Sequence, residues 1–230
     1  MSVLPLPPLH TDAPFVVLSD WDGTITNTDS NDYLTDNLGF GKQKRRELNT
    51  SCLMGHIGFR DSFRQMLESV KIPFPECAQI LRENVRLDPG FKNFYAYCKE
   101  NKIPVIIVSS GMTPLIRAVL SNLIGEEEAS KIEIIANDVK FTDEKQQGDT
   151  WEIVFRHPES EFGHDKSKAI LPYANLPNPP TTFFMGDGVS DLSAASHADM
   201  LFVKDKGAEN DLRAYCMSKA SWRTKNLSLS

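Results

Sequence analysis

The sequence predicts an α/β fold, a Rossmann-like parallel sheet with helices on both faces, and an all-helical cap inserted after the first strand. Three observations support this prediction. Apolar runs of strand length alternate with helix-period segments from about residue 86 onward, and a similar run lies at residues 15–19. Between them, residues 29–85 show helical periodicity only. Such alternation is typical of parallel sheets, so we predict a core of residues 1–28 and 86–230 and a cap of residues 29–85.

The elements follow from the spacing of apolar residues. After the first strand, the cap carries an apolar stripe at helical spacing and a further helix that Pro75 opens. The stripe consists of Phe59, Phe63, Met66, Leu67 and Val70. In the core, helices are predicted from Asp88-Pro89, over 113–125, over 165–174, after Ser190 and from Ala208, and strands over 105–108, 132–136, 151–155, 182–185 and 200–203.

Composition limits the classes of protein. The 230 residues include 25 Lys and Arg against 31 Asp and Glu, a net charge of −6 that argues against nucleic-acid binding. No apolar run approaches the length of a membrane span. Four scattered cysteines fit reduced thiols. The proline-rich start carries no Lys or Arg before an apolar run and lacks signal-peptide character. We expect a soluble monomer or homodimer, located in the cytoplasm with the nucleus as the alternative.

Four polar segments follow predicted strands or begin helices beside them, which places them at one edge of the sheet. They are Asp20-Trp21-Asp22-Gly23-Thr24, Ser109-Ser110-Gly111, Lys166, and Gly186-Asp187-Gly188-Val189-Ser190-Asp191. Carboxylates gathered at one edge repel one another unless a cation lies among them, which predicts a divalent ion, most simply Mg²⁺. Lys166 and the free amides around Gly111 suit a phosphoryl group.

Each segment alone is also typical of an acidic turn, a strand-ending turn or a solvated helix face. Their joint occurrence in this order favours a functional site. Asp20 and Asp22 are close enough in sequence to divide acid–base work between an ionised and a protonated carboxyl.

The four segments resemble the motifs of the haloacid dehalogenase superfamily of aspartate-nucleophile phosphotransferases and span most of the chain. The cap is similar to that of phosphoserine phosphatase and its relatives, which include the methionine-salvage 2-hydroxy-3-keto-5-methylthiopentenyl 1-phosphate phosphatase and phosphocholine/pyridoxal phosphate phosphatases. The resemblance implies Mg²⁺-dependent hydrolysis of a small phosphorylated metabolite through an aspartyl phosphate.

The resemblance also implies roles for particular residues. Asp20 is expected to be the nucleophile and Asp22 the general acid and base. The metal is expected at Asp20, the Asp22 carbonyl and Asp187, with Asp191 orienting its water shell or Lys166. Lys166 would offset phosphate charge, with Lys168 as its competitor. The predicted phosphate-binding residues are Ser109, Ser110, Gly111 and Thr24.

For substrate binding in the cap, the resemblance points to Asp29 and Met66. Asp29 matches the acidic residue that meets the substrate ammonium in phosphoserine phosphatases, whereas Met66 stands where those enzymes carry an arginine for the substrate carboxylate. Met66 is read either as a substrate contact or as part of the apolar stripe. In both cases the carboxylate clamp is missing, so we expect phosphoserine to be a poor substrate beside a sugar, keto-alcohol, choline or pyridoxal phosphate.

Two other functions stay open at this point. A phosphotransferase or mutase on the same core would shield the aspartyl phosphate from water. A non-catalytic regulatory protein would keep only the fold, but the intact Asp20, Asp22, Lys166 and Asp187 argue against it.

Overall fold

A six-stranded sheet forms the centre of the computed structural model, which describes residues 5–205 and 211–218. The strand order is β4-β3-β2-β1-β5-β6, and every neighbouring pair is parallel except β3 with β4. This confirms the predicted α/β fold. The strands are β1 (Phe15–Ser19), β2 (Val105–Met112), β3 (Glu133–Phe141), β4 (Trp151–Val154), β5 (Thr181–Gly186) and β6 (Met200–Val203).

Residues 30–84, between β1 and β2, form four helices and contain no strand. An isolated bridge between Thr26 and Leu87 joins the two ends of this segment. The division at residues 29 and 85 stays a prediction. The helices are α1 (Ser30–Leu38), α2 (Lys42–Leu53), α3 (Phe59–Glu68), α4 (Phe74–Asn84), α5 (Phe91–Glu100), α6 (Thr113–Ile124), α7 (Glu126–Ser130), α8 (Ser167–Ile170), α9 (Leu192–Ala195) and α10 (Asp211–Ser218).

Some elements differ from their predicted extents. β2 continues to Met112, and β3 continues to Phe141, where its last residues pair antiparallel with β4. The predicted helix over 165–174 is α-helical only in α8 and then becomes a 3₁₀ turn over Leu171–Asn175. Pro172 explains the change, because it lacks the N–H that an α-helix requires there. The last helix was predicted from Ala208; residues 206–210 lie outside the described part, which contains α10.

The apolar core lies on both faces of the sheet because side chains alternate along each buried strand. Val16, Leu18 and Ile106 pack on one face with α8, whereas Ile107 belongs to a larger cluster on the other side. That larger cluster continues into the cap helices. Phe74 of α4 packs edge-on against Trp151 of β4, with ring centroids 5.4 Å apart. The cap is therefore seated on the core through apolar contacts.

Candidate active site

Lys166 forms the centre of a buried ion network at the carboxyl end of the parallel strands. Its ammonium group is fully buried and donates to Asp20 Oδ1 at 2.6 Å and to Asp191 Oδ1 at 2.7 Å. Burial opposes its charge, but attraction by Asp191 and Asp20 outweighs that effect and raises the pKa of Lys166. Lys166 is therefore a permanent cation. Lys168, its predicted competitor, is half-exposed and pairs with Glu159.

Asp20, Asp187 and Asp191 form a carboxylate cluster, with one oxygen from each lying within 4.8 Å of the others. Burial raises the pKa of Asp20, and repulsion by Asp191 and Asp187 adds to the rise, while Lys166 opposes it. One lysine does not balance three carboxylates, and oxygen donors are the ligands that hard divalent cations prefer. The cluster therefore fits a divalent metal ion.

The oxygens of Asp191 are already engaged by protein donors. Oδ1 accepts from Lys166, and Oδ2 accepts from the backbone amides of Asp187 and Gly188, each at 3.0 Å. Gly186 permits this arrangement, since a Cβ there would lie 2.6 Å from the Asp191 carboxyl group. These three hydrogen bonds fix the orientation of the Asp191 carboxylate and leave one acceptor site, on Oδ1.

Asp187 is oriented by Thr24, whose hydroxyl donates to Asp187 Oδ1 at 3.0 Å. Thr24 lies just after Gly23, which adopts a φ of 79° and turns the chain away from β1. Because its hydroxyl proton goes to Asp187, the predicted phosphate contact of Thr24 would need this bond to rearrange.

Asp22 is held by the start of the cap. Its Oδ1 accepts from the Ser30 amide at 2.7 Å, and its Oδ2 accepts from Asn31 Nδ2 at 2.8 Å. Burial of the carboxyl group and repulsion by Asp29 raise the pKa of Asp22 to about 8. A carboxyl group with this pKa carries a proton near neutrality and can act as a general acid.

Ser109, Ser110 and Gly111, here called the β2 bulge, border Asp22 at the end of β2. An added Cβ on Gly111 would lie 3.3 Å from Ser109 Oγ, 3.4 Å from Asn31 Nδ2 and 3.5 Å from Asp22 Oδ2, so it would fill the space between them. The amide of Gly111 donates to Ser109 Oγ at 3.0 Å. Of the free amides expected around Gly111, the amide of Gly111 itself is therefore already engaged. Ser110 Oγ is buried and has no hydrogen-bond partner among the described residues.

The two predicted cap residues have local structural roles. Asp29 Oδ1 accepts from the amides of Asn31 and Asp32, which makes Asp29 the N-cap of α1. Its charge also raises the pKa of Asp22, so Asp29 lies at the rim of the site. Met66 is 4% exposed and belongs to the large apolar cluster. This position favours the packing interpretation of Met66 over a substrate contact.

Sequence reasoning missed Ser30 and Asn31 as partners of Asp22. In the sequence they look like ordinary first residues of a helix after the N-cap Asp29. His164 is a third residue without a signal in the sequence, and its Nδ1 lies 2.6 Å from the Ser109 carbonyl oxygen in the β2 bulge. No spacing in the sequence signals these contacts.

The fold and the site together are those of a phosphatase, with a cluster of aspartates at the edge of a parallel sheet. The chain belongs to the haloacid dehalogenase-like hydrolase family, which it matches over residues 17–196. It is 52% identical over 202 residues to Pdp3-interacting factor 1 of Schizosaccharomyces pombe, covering 87% of this chain and 85% of that protein.

Two further comparisons agree with this membership. Polyol phosphate phosphatase PYP1 of Saccharomyces cerevisiae is 47% identical over 209 residues, which cover 87% of this chain and 83% of the relative. A substrate-bound phosphoserine phosphatase has a similar fold, with a TM-score of 0.62 at 16% identity over 82% of this chain and 84% of the other. In the described part of the chain, no helix has the length and apolar character that crossing a membrane requires.

Proposed function

We propose that this phosphatase hydrolyses the phosphate monoester of a small polyol, with Asp20 as nucleophile and Mg²⁺ as its metal. The observation that carries the proposal is the buried network in which Lys166 holds Asp20 and Asp191 beside Asp187. It presents a carboxylate at the sheet edge, where a strand end and the cap meet. Bound Mg²⁺, held by Asp20, Asp187 and the Asp22 carbonyl, would supply charge neutralisation between nucleophile and phosphate.

The residues divide the reaction into two steps. Asp20 attacks phosphorus, and the bond from phosphorus to the alcohol oxygen breaks while Asp22 gives that oxygen its proton. Asp22, now ionised, takes a proton from a water molecule that attacks the aspartyl phosphate, which releases phosphate and restores Asp20. Ser109 donates its hydroxyl proton to a phosphoryl oxygen, and Lys166 offsets the added negative charge.

The rim of the site supports an uncharged, hydroxyl-bearing leaving group. Asp29 raises the pKa of Asp22 and therefore places a carboxyl group near it, to which a substrate hydroxyl group can donate. Arg45, the arginine whose charge acts on Asp29, is already paired with Asp32 and Asp36 at 2.7 Å each. A substrate carboxylate would therefore meet acidic groups instead of an available guanidinium. The similarity to a polyol phosphate phosphatase points the same way.

Phosphate release from a panel of esters tests the proposal. The panel contains glycerol 1-phosphate, a six-carbon polyol phosphate, phosphocholine, pyridoxal phosphate and phosphoserine, each with Mg²⁺, with Ca²⁺ and after chelation by EDTA. We expect the highest kcat/KM for a polyol phosphate, loss of turnover in EDTA with recovery on adding Mg²⁺, and inhibition by Ca²⁺ because its looser coordination misplaces the nucleophile. A phosphoserine value above all others would contradict the substrate class, and undiminished turnover after chelation would contradict the metal.

A protein-binding role is the second candidate, because the relative from Schizosaccharomyces pombe is named as an interacting factor. This role would not need the nucleophile. An Asp20→Asn protein that still recovers the same partner as the unmodified chain in a pull-down would show that binding is independent of catalysis.

A further inference from the structure

The β2 bulge leaves the hydrogen-bonded ladder of the sheet. On one side, pairing of β2 with β1 ends at Ile107, opposite Ser19. On the other, Val108 pairs with Ile135 and Met112 pairs with Asn137, so the three bulge residues face a single residue of β3. Bulges of this kind redirect side chains next to active sites, but they also deprive the backbone of its regular partners.

The carbonyl of Ser109 is held by a side chain instead. His164 Nδ1 lies 2.6 Å from this oxygen, and His164 is fully buried. A carbonyl oxygen can only accept, so the proton of the neutral imidazole must be on Nδ1. Burial lowers the pKa of His164 to about 3, which keeps the ring in this neutral form.

The next carbonyl along the chain has a separate side-chain partner. Asn137 Nδ2 donates to the Ser110 oxygen at 2.7 Å, and Asn137 is also fully buried. The amide oxygen of Asn137 accepts from the Arg156 backbone at 2.8 Å, which fixes the side-chain orientation. The Thr113 hydroxyl donates to the Asn137 carbonyl at 3.0 Å and ties this residue to the start of α6.

Burying His164 at this position costs free energy, because one of its ring nitrogens has no hydrogen-bond partner among the described residues. With the proton on Nδ1, the second ring nitrogen is an acceptor, and it is buried without a hydrogen-bond partner among the described residues. An apolar side chain of similar size would avoid that unsatisfied group. Packing alone therefore does not account for an imidazole here, whereas its hydrogen bond to Ser109 does.

We propose that His164 and Asn137 are positioning residues that hold the carbonyls of Ser109 and Ser110 and so aim the β2 bulge at the phosphoryl group. Neither touches the substrate in this proposal, which rests on the proposed function for the role of Ser109. One donor from the loop before α8 and one from β3 fix two successive peptide groups. The Ser109 hydroxyl is then presented beside Asp22 without reorganisation when phosphate binds.

The position of the donor can be tested with three substitutions at His164. His164→Leu removes the donor, His164→Asn places an amide N–H near the position of Nδ1, and His164→Gln places it near the position of the other ring nitrogen. Each is assayed for kcat and KM with p-nitrophenyl phosphate, for the Ki of inorganic phosphate and for Tm. We expect the Leu and Gln variants to raise KM and Ki roughly tenfold or more, and the Asn variant to recover most of that loss.

Tyr173→Phe provides the matched control. Tyr173 is 1% exposed, and its hydroxyl donates to the Leu9 carbonyl at 2.8 Å, not to a residue of the β2 bulge. Its loss should lower Tm with KM and Ki unchanged. If His164→Leu does not fold, the comparison of Asn with Gln still decides the matter, and Asn137→Ala should raise KM and Ki as His164→Leu would.

Equal KM and Ki in the Leu, Gln, Asn and unmodified proteins, with only Tm altered, would overturn the proposal. Equal losses in the Asn and Gln variants would also overturn it, because the position of the donor would then not matter. Failure of the proposed substrate class is a separate result. An unmodified enzyme that hydrolyses p-nitrophenyl phosphate but no polyol phosphate contradicts the substrate class and leaves this comparison intact.

Discussion

The core side and the cap side of the active site hold their charges in different ways. On the core side, Lys166 and Asp191 are fully buried, and each charge depends on the other. On the cap side, Arg45 joins α1 to α2 through Asp32 and Asp36, whose side chains are 32% and 18% exposed. Water can compensate a lost partner only on the cap side. Removing one charge on the cap side should therefore cost less stability than removing one on the core side.

The largest effect on activity should come from substituting Asp20, the proposed nucleophile. Asp20→Asn should lower kcat by at least roughly a thousandfold, because an amide is a much weaker nucleophile and metal ligand. Lys166 keeps Asp191 as its partner, so circular dichroism should show a folded protein. The cap counterpart Asp32→Asn should keep kcat within about tenfold under the same assay. Full activity of Asp20→Asn, without deamidation, would remove the distinction between the two sides.

The next largest effect is on stability, and it should differ between the buried Lys166 and the half-exposed Lys168, two residues away. Lys166→Met leaves Asp20 and Asp191 buried without their cation, and we expect a loss of about 3–5 kcal/mol in the free energy of unfolding. Lys168→Met removes only a solvated pair with Glu159 and should change that free energy little. Urea denaturation of both variants measures the contrast. Similar losses in the two variants would show that burial does not determine how much each lysine contributes to the free energy of unfolding.

A smaller effect is the dependence of stability on pH that His164 produces. The unfolded-state pKa is near 6.5, and burial, together with Lys166, His157 and Arg156, lowers the folded-state pKa to about 3. The unfolded chain therefore binds a proton first, and stability present above pH 6.5 is lost as the pH falls. Between pH 7 and pH 5 this one group should remove about 2 kcal/mol from the free energy of unfolding. Urea titrations should show that loss in the unmodified protein and its absence in His164→Asn.

The smallest effect tests the cap. Met66→Leu conserves volume and should cost less than about 1.5 kcal/mol in the free energy of unfolding, with KM unchanged for every ester in the panel. The reason is that Met66 packs inside the apolar cluster instead of facing the substrate. A clear rise in KM at unchanged stability would make Met66 a substrate contact and would give the cap side a specific residue that the packing does not reveal.

Local patterns in the sequence were sufficient to predict the strands of the sheet and the polar residues that lie at its edge. Buried apolar runs predicted the strands, and polar residues directly after them had to meet, since the carboxyl ends of parallel strands share one edge. Asp20 and Asp187 follow β1 and β5, which are neighbours in the sheet, and this placement needs no knowledge of individual contacts.

Other features depended on contacts between residues far apart in the chain. Lys166 and Lys168 look alike in sequence, and only the packed structure buries one against Asp20, 146 positions away, while the other reaches solvent. Asn31 appears as a helix-start residue until the cap folds back over Asp22.

The β2 bulge is the clearest case of a feature that tertiary structure decided. The run from Val105 to Val108 predicts a strand that ends there, but nothing in the sequence indicates that the strand resumes at Met112 after three residues outside the ladder. Their carbonyls accept from His164 and Asn137 because the loop before α8 and strand β3 reach that edge from other parts of the chain. The sequence by itself thus determined which polar residues meet at the sheet edge, since they directly follow the ends of parallel strands. Tertiary structure decided which buried groups orient them, because a hydrogen bond depends on the relative position of two elements and not on the pattern within either one.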